Sequence, residues 1–217
     1  MSIRASCLPA GEGAAKDSGC GCATWRAAQG TPDVTARRNE LRNPLTLAKQ
    51  SDDCVKCYGY LDIETTGISC HYCDLTVVGV AVVRDGRYRF GQLVGGQINA
   101  DRVLELLDGV DEIYTYNGRR FDLPFIKHRL SLDLQKQFPH TDLMYYCWRQ
   151  NLKGGLKVVE VRLGIERRLP GMNGYMAVRL WWDYANNNDT AALQKLLAYN
   201  QEDVMNLHVL RQKLGVE

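Results

Sequence analysis

Apolar and polar positions divide this chain into a stretch without periodicity and a stretch with two periods. Residues 1–50 are rich in Gly, Ala, Ser and Arg and sustain neither a two-residue nor a 3.6-residue repeat. They read as a flexible extension, with at most a basic helix over 35–49 that breaks near Pro44. From residue 52 the pattern sharpens. A strand is expected over 58–64, its Leu61 and Ile63 facing one way and its Asp62 and Glu64 the other. Residues 75–83 are apolar throughout, the mark of a strand buried on both faces. Asp85-Gly86 is a tight-turn signal, so 87–94 pairs back as a hairpin. A short helix over 100–107 precedes a strand over 112–116, which ends in Asn117-Gly118. Helix follows over 122–130, then an extended piece over 140–143 and helices over 144–151, 156–163 and 174–184. The last helix, 191–214, has the clearest stripe: Leu193, Leu196, Leu197, Val204, Leu207, Leu210 and Leu214. Strands clustered early, then alternation, then helices, predict one α/β domain with a mixed sheet over residues 52–217. Residues 1–51 precede it as a basic, cysteine-containing extension.

Charge narrows what this domain binds. The 217 residues carry a net charge of only +2. Seven Lys/Arg oppose four Asp/Glu in residues 1–50, and twenty oppose twenty-one in residues 51–217. An anionic partner therefore needs a local basic patch or bound metal, because bulk charge does not attract it. No run of eighteen apolar residues is present, which excludes a membrane-spanning helix, and the first residues lack an apolar stretch of signal-peptide length. A cytoplasmic location is the expectation. There, eight cysteines serve as thiols or metal ligands before disulfides.

The chemistry begins with Asp62 and Glu64. Two carboxylates side by side at the end of an apolar strand repel each other unless a cation lies between them. Asp122 falls just past a strand end, where the loops of open α/β sheets carry function. Asp203 sits seven residues after Leu196 and four before Leu207, on or beside the buried stripe of the last helix, and Tyr199 is one turn before it. A core-facing carboxylate needs a partner. Taken singly, each of these residues is more simply a salt-bridge partner or core packing. Four converging acids suit two hard, oxygen-preferring cations, Mg²⁺ or Mn²⁺, of the kind that clamps in-line attack on a phosphodiester. A tyrosine hydroxyl beside them orients or deprotonates the attacking water.

Three segments then appear in order: "YLDIETTG", "YNGRRFDLPFI" and "YNQEDVMNL". They resemble the three exonuclease motifs of the DEDD superfamily on the ribonuclease-H-like fold. The spacing of Tyr199 to Asp203 matches the tyrosine subclass. The details, including "LKVVEVRLGIERRLPG" between the second and third motifs, are most similar to the YprB-like branch. The resemblance covers about residues 58–214. It implies a five-stranded sheet of order 3-2-1-4-5 with the second strand antiparallel. It also implies a two-metal 3′–5′ exonuclease acting on nucleic acid, with a single-stranded 3′ end the natural substrate. Asp62, Glu64, Asp122 and Asp203 would be the metal ligands, and Tyr199 the fifth catalytic group. Thr65, Thr66, Asn117 and Phe121 would lie near the terminal nucleotide. Arg119, Arg120, Lys127 and Arg129 would contact phosphates, with Arg167 and Arg168 as weaker candidates. Each of these cations is equally an ordinary solvated side chain. Tyr116, Phe121 and Tyr175 are available to stack on bases, whereas His128 and His140 read as structural. Two rivals stand beside this reading: a structure-specific endonuclease of the same fold, and a non-catalytic nucleic-acid-binding module.

Cys54-x₂-Cys57 and Cys70-x₂-Cys73 depart from that family pattern. Two such pairs ordinarily suggest a four-thiolate zinc site or an iron–sulfur cluster. The first strand lies between them, however, and six extended residues span roughly 20 Å. A shared metal requires residues 64–69 to fold back. The alternatives are a site made by Cys54 and Cys57 with Cys20 and Cys22, or no metal at all. Cys147 reads as a buried small hydrophobe.

Overall fold

A computed structural model describes residues 55–217. Within them the sheet has order β3-β2-β1-β4-β5, built from β1 (Cys57–Thr65), β2 (Leu75–Arg84), β3 (Arg87–Val94), β4 (Glu112–Thr115) and β5 (His140–Asp142). β2 runs antiparallel to both β1 and β3, while β1, β4 and β5 are parallel. This is the mixed sheet expected from the sequence. Seven helices accompany it: α1 (Ala100–Leu106), α2 (Asp122–Leu130), α3 (Leu134–Gln137), α4 (Leu143–Arg149), α5 (Leu156–Leu163), α6 (Gly174–Asn187) and α7 (Thr190–Leu214). The single turn of α3 and a 3₁₀ turn over Gly95–Gln97 are too short to leave a periodic signal in the sequence. The extension, with Cys7, Cys20 and Cys22, lies outside the described residues, as does Cys54.

The two faces of the sheet carry two cores. Leu61 and Ile63 of β1 join Val78, Val80 and Val82 of β2 under α1 and α2, packed with Val103, Leu123, Phe125 and Ile126. Tyr60, Ala81, Val83 and Tyr114 face the other way and meet Leu143, Val159, Val204, Leu207 and Leu210 from α4, α5 and α7. β2 is thus covered on both sides, which is why its sequence is apolar without alternation. The α7 stripe is the wall of the second core. Asp189 caps that helix, its Oδ1 accepting from Ala191 and Ala192 N–H, and Gly215 ends it in the left-handed conformation.

α7 seats most closely on the sheet at one row. Asp62, Gly79 and Gln92 are register partners across β1, β2 and β3. Asn200, fully buried, lies over the glycine. A Cβ at Gly79 would overlap Asn200 Oδ1 and come within 3.0 Å of Val204 Cγ2. The gap is used. Gln92 Nε2 donates to Asn200 Oδ1 at 2.7 Å, and Asn200 Nδ2 donates to Asp62 Oδ2 at 3.0 Å. A glycine in mid-strand, normally unfavourable, therefore brings a helix amide to a strand carboxylate. Gly79→Ala is expected to cost about 1–3 kcal/mol through overpacking. The double variant with Asn200→Ala should lose less than the sum of the two single changes, because the same atoms clash. Chemical denaturation of the four proteins measures the coupling, and strict additivity would contradict this account.

Candidate active site

β1 ends at a cleft. Its last two acids point to the α7 side of the sheet, and the pairing with β2 slips between Glu64 and Thr65, an irregularity that re-aims the chain where the strand leaves the ladder. Thr65 Oγ1 then donates to Gly67 O at 2.6 Å. The parallel neighbour β4 ends beside it and feeds a tight loop. Asn117 there is left-handed (φ 64°), a conformation asparagine tolerates. Asp142, at the end of β5, holds this loop by accepting from Asn117 N–H at 2.8 Å and Arg119 N–H at 3.1 Å. A Cβ at Gly118 would overlap Thr115, so the turn is closed to other residues. It delivers Asp122 as the first residue of α2, where Asp122 Oδ1 accepts from Ile63 N–H at 3.1 Å.

The carboxylates meet. Asp62, Glu64 and Asp203 each place an oxygen within 4.8 Å of the others. Asp122 is buried (4 % exposed) with its side chain anchored on β1 between the first two. These four acids and Tyr199 line one cavity of about 580 Å³, together with Thr65, Thr66, Tyr116, Asn117, Phe121 and Tyr175. Arg119 lines a different cavity, beside His140 and Trp148. Lys127 pairs with Asp133 at 2.8 Å. Arg120 is exposed and is not part of the cleft wall, and Arg129 pairs with Asp74. Arg119, Arg120, Lys127 and Arg129 thus do not line the cleft. His140 bonds Thr115 Oγ1 at 2.9 Å and serves the sheet.

Two cations absent from the first-choice residues do reach the acids. Lys157 Nζ on α5 is 3.2 Å from Asp203 Oδ2 and lies over the Tyr199 ring, 4.5 Å from its centre. Arg167, with its side chain 9 % exposed, contacts Asp203 Oδ1 at 2.6 Å, Glu160 Oε2 at 2.8 Å and Glu202 Oε2 at 3.1 Å. The Asp203 contact is a close ion pair without hydrogen-bond alignment. Arg167 is therefore committed to a buried network, in which Asn206 also donates to Glu160 at 2.8 Å. It is not a free phosphate contact. Neither residue was legible as an acid partner, since the segment between the second and third motifs has no period that fixes its orientation.

Burial dominates the electrostatics. Desolvation, reinforced by Asp122, Asp203 and Glu64, holds the Asp62 carboxyl well above the usual range. Desolvation and Asp203 do the same to Glu64. Asp122 is pushed up to about 7 by burial, against the pull of its backbone hydrogen bonds. Tyr199 is raised by burial and then by the carboxylates around it, so it stands in the site as a neutral phenol. An all-oxygen donor set with this much unrelieved repulsion fits a hard divalent cation.

The model of the RNase_H superfamily matches residues 59–215 of the chain. The chain belongs to the ribonuclease H superfamily. Among curated proteins it is similar to the uncharacterised protein YprB of Bacillus subtilis (strain 168), 29 % identical over 193 residues. That alignment takes in 78 % of this chain and 46 % of YprB, so the chain spans less than half the length of that relative. Solved structures of two proteins share the ribonuclease H fold. The family B DNA polymerase of Pyrobaculum calidifontis superposes with a TM-score of 0.56 at 20 % identity, covering 73 % of this chain and 24 % of the polymerase. Brucella melitensis NrnC with bound Mg²⁺ gives 0.51 at 23 % identity, covering 78 % and 76 %, and NrnC bound to pGG gives 0.50 at 24 %, covering 77 % and 76 %. At these identities the likeness is one of fold.

The same fold overturns the four-thiolate site. Cys57 opens β1, while Cys70 and Cys73 follow its far end. Eight residue steps of strand put roughly 26 Å between the two ends, and the 66–74 loop stays at its own end, with Thr66 N–H donating to Asp74 O at 2.9 Å. Cys54 lies outside the described residues. Cys57, Cys70, Cys73 and Cys147 are free thiols; Cys147 is fully buried, as a small core residue. Among the described residues no helix is long and apolar enough to cross a membrane.

The raised Asp122 pKa has a measurable consequence in metal-free protein. From about 3.8, the unfolded value, to about 7 the folded state holds a proton that the unfolded chain has released. The resulting stability is complete below the lower value and is lost as pH rises through the upper one. Asp122→Asn keeps the oxygen that accepts from Ile63 and removes the titration. The variant should gain stability relative to wild type as pH climbs from about 4 to about 7, and no more above that. Denaturation midpoints of both proteins across this range, in chelator, give the difference; a pH-independent gap would contradict the assignment.

Proposed function

We propose that residues 52–217 are a metal-dependent 3′–5′ exonuclease domain, with residues 1–51 as an extension of it. The observation that carries the reading is the convergence of Asp62, Glu64 and Asp203 within 4.8 Å, beside Asp122 and Tyr199, in a cleft with aromatic walls. Superfamily membership supports it, as do the Mg²⁺ and pGG held by NrnC. Two Mg²⁺ or Mn²⁺ ions, held by Asp62, Glu64, Asp122 and Asp203, would supply charge neutralisation at the attacked phosphorus and the leaving oxygen.

The protein's own groups do the rest. Asn200 fixes the rotamer of Asp62, and the Ile63 N–H fixes Asp122, so the acids are held before substrate arrives. Tyr199 orients the attacking water through its hydroxyl. A general-base role would require a phenolate, which burial and then the neighbouring carboxylates disfavour. Lys157, a half-exposed cation at the cleft wall, is placed to meet a phosphate oxygen in place of Asp203. Thr65, Thr66 and Asn117 border the space for a terminal nucleotide, and Phe121, Tyr116 and the 73 % exposed Tyr175 offer stacking faces. The partner on this reading is a single-stranded 3′ end. Free thiols in the domain fit a reducing, cytoplasmic setting.

The deciding experiment is a time course on 3′-labelled and 5′-labelled single-stranded DNA and RNA oligomers, with a covalently closed circle as control. Wild type should shorten linear strands from the 3′ end with Mg²⁺ or Mn²⁺ and stop in chelator. Asp62→Ala and Asp203→Asn should each lower the rate by roughly 10²-fold or more. Cleavage of the circle would identify an endonuclease instead. Binding without hydrolysis under either metal would identify a non-catalytic module.

A further inference from the structure

The loop joining β1 to β2 carries a second ligand cluster whose chemistry differs from that of the carboxylates. Cys70 Sγ, a ring nitrogen of His71 and a ring nitrogen of His128 lie within 4.8 Å of one another. Two of them come from the loop, and the third from the last turn of α2. The two imidazoles meet edge to face with centroids 4.4 Å apart. Cys70 is half-buried and both histidines are exposed, so an ion reaches all three from solvent.

Local backbone explains how one short loop aims two ligands at a helix. Tyr72 N–H and Cys73 N–H both donate to Ser69 O, at 3.1 and 2.8 Å, which closes a turn around Cys70 and His71. Asp74 N–H donates to Thr66 Oγ1 at 2.9 Å, and the Asp74–Arg129 ion pair ties the end of the loop to the residue after His128. Ile68 and Tyr72 of the loop are 91 % and 90 % exposed, while Cys70 and Cys73 pack against the first core. The loop is also part of the cleft, because Thr66, Gly67 and Ile68 line the cavity that holds the acids.

We propose that Cys70, His71 and His128 form a Zn²⁺ site that pins the β1–β2 loop to α2, with water in the fourth position. One thiolate and two imidazoles suit a borderline-soft tetrahedral ion and not Mg²⁺. Around Zn²⁺, with bonds of about 2.0 Å to nitrogen and about 2.3 Å to sulfur, neighbouring ligand atoms stand roughly 3.3–3.7 Å apart. Small side-chain rotations reach that geometry from the present one. On binding, Cys70 releases its thiol proton to solvent and the histidines bind as neutral imidazoles. The ion would join the loop behind Glu64 to the helix that begins with Asp122, and so brace two walls of the cleft. This ligand set shares only Cys70 with the four-thiolate site and has His71 and His128 where that site needed the remote Cys57. The site stands independently of the nuclease reading, because its readout is metal binding and not hydrolysis.

The test uses the full chain, reduced and metal-stripped, titrated with Co²⁺ and then Zn²⁺. Wild type and Asp62→Asn should both develop thiolate-to-cobalt charge-transfer absorption, which one equivalent of Zn²⁺ bleaches. Cys70→Ser should remove one equivalent of that absorption. His71→Asn and His128→Asn should each weaken binding by more than the roughly 10–100-fold that losing an outer partner costs. Cys57→Ser should leave the equivalent lost in Cys70→Ser in place. As a second readout, Zn²⁺ should slow amide hydrogen exchange at Tyr72 and Cys73 in wild type but not in His128→Asn. Unchanged stoichiometry and spectrum in Cys70→Ser and His128→Asn, or Zn²⁺ without effect on loop exchange, would overturn the proposal.

Discussion

Mutual repulsion among buried carboxylates organises this molecule. Asp62, Glu64, Asp122 and Asp203 come from a strand, a loop-to-helix junction and a distant helix, and they are crowded into one cleft. Like charges out of water raise one another's pKa and destabilise the compact state unless something compensates. The chain answers with several partial remedies. Arg167 and Lys157 reach Asp203, the Asn200 amide reaches Asp62, and a backbone N–H reaches Asp122. Lys157 also favours the charged forms of Asp62 and Glu64, yet burial and the neighbouring acids still hold both carboxyls well above the usual range. The unrelieved centre is what a cation would occupy, and it is the strongest physical reason to regard the cleft as a site for phosphate chemistry.

The scaffold makes that crowding achievable. β1 and β4 are parallel neighbours, and their carboxyl ends open on the same side, where the sheet order turns back on itself. Loops that leave such a point face a common crevice. β2, antiparallel and covered on both faces, supplies rigidity, and its Gly79 supplies closeness. The row of Asp62, Gly79 and Gln92 under Asn200 couples the seating of α7 to the rotamer of a site carboxylate. The wider network of Glu160, Arg167 and Asn206 ties α5 and the segment after it to α7. Stability and site geometry are therefore set by the same contacts.

The superfamily match and the shared fold frame this site, while the alignment with YprB takes in 46 % of that protein. The β1–β2 loop distinguishes this chain within that frame. It borders the cleft and is tied to α2 by the Asp74–Arg129 ion pair, and with His128 of α2 it gathers sulfur and imidazole where the acid cluster of the cleft gathers carboxylate oxygen. Hard and borderline-soft donors are thus kept at separate positions.

Local pattern carried a large part of the result. Period-two alternation placed Asp62 and Glu64 on one face of β1, the unbroken apolar run marked β2 as doubly covered, and the leucine stripe set α7 with Tyr199 and Asp203 at its edge. The turn at Asn117-Gly118 announced the start of α2 at Asp122. Such periods report which face of an element is buried, because burial repeats with the backbone's own geometry. They do not report what covers that face. Only the tertiary structure turned Lys157 and Arg167 toward Asp203, set Asn200 in the space over Gly79, separated Cys57 from Cys70 by the length of a strand, and brought His128 across to the loop. Those are encounters between elements far apart in sequence, decided by sheet order and helix seating, which no local repeat encodes.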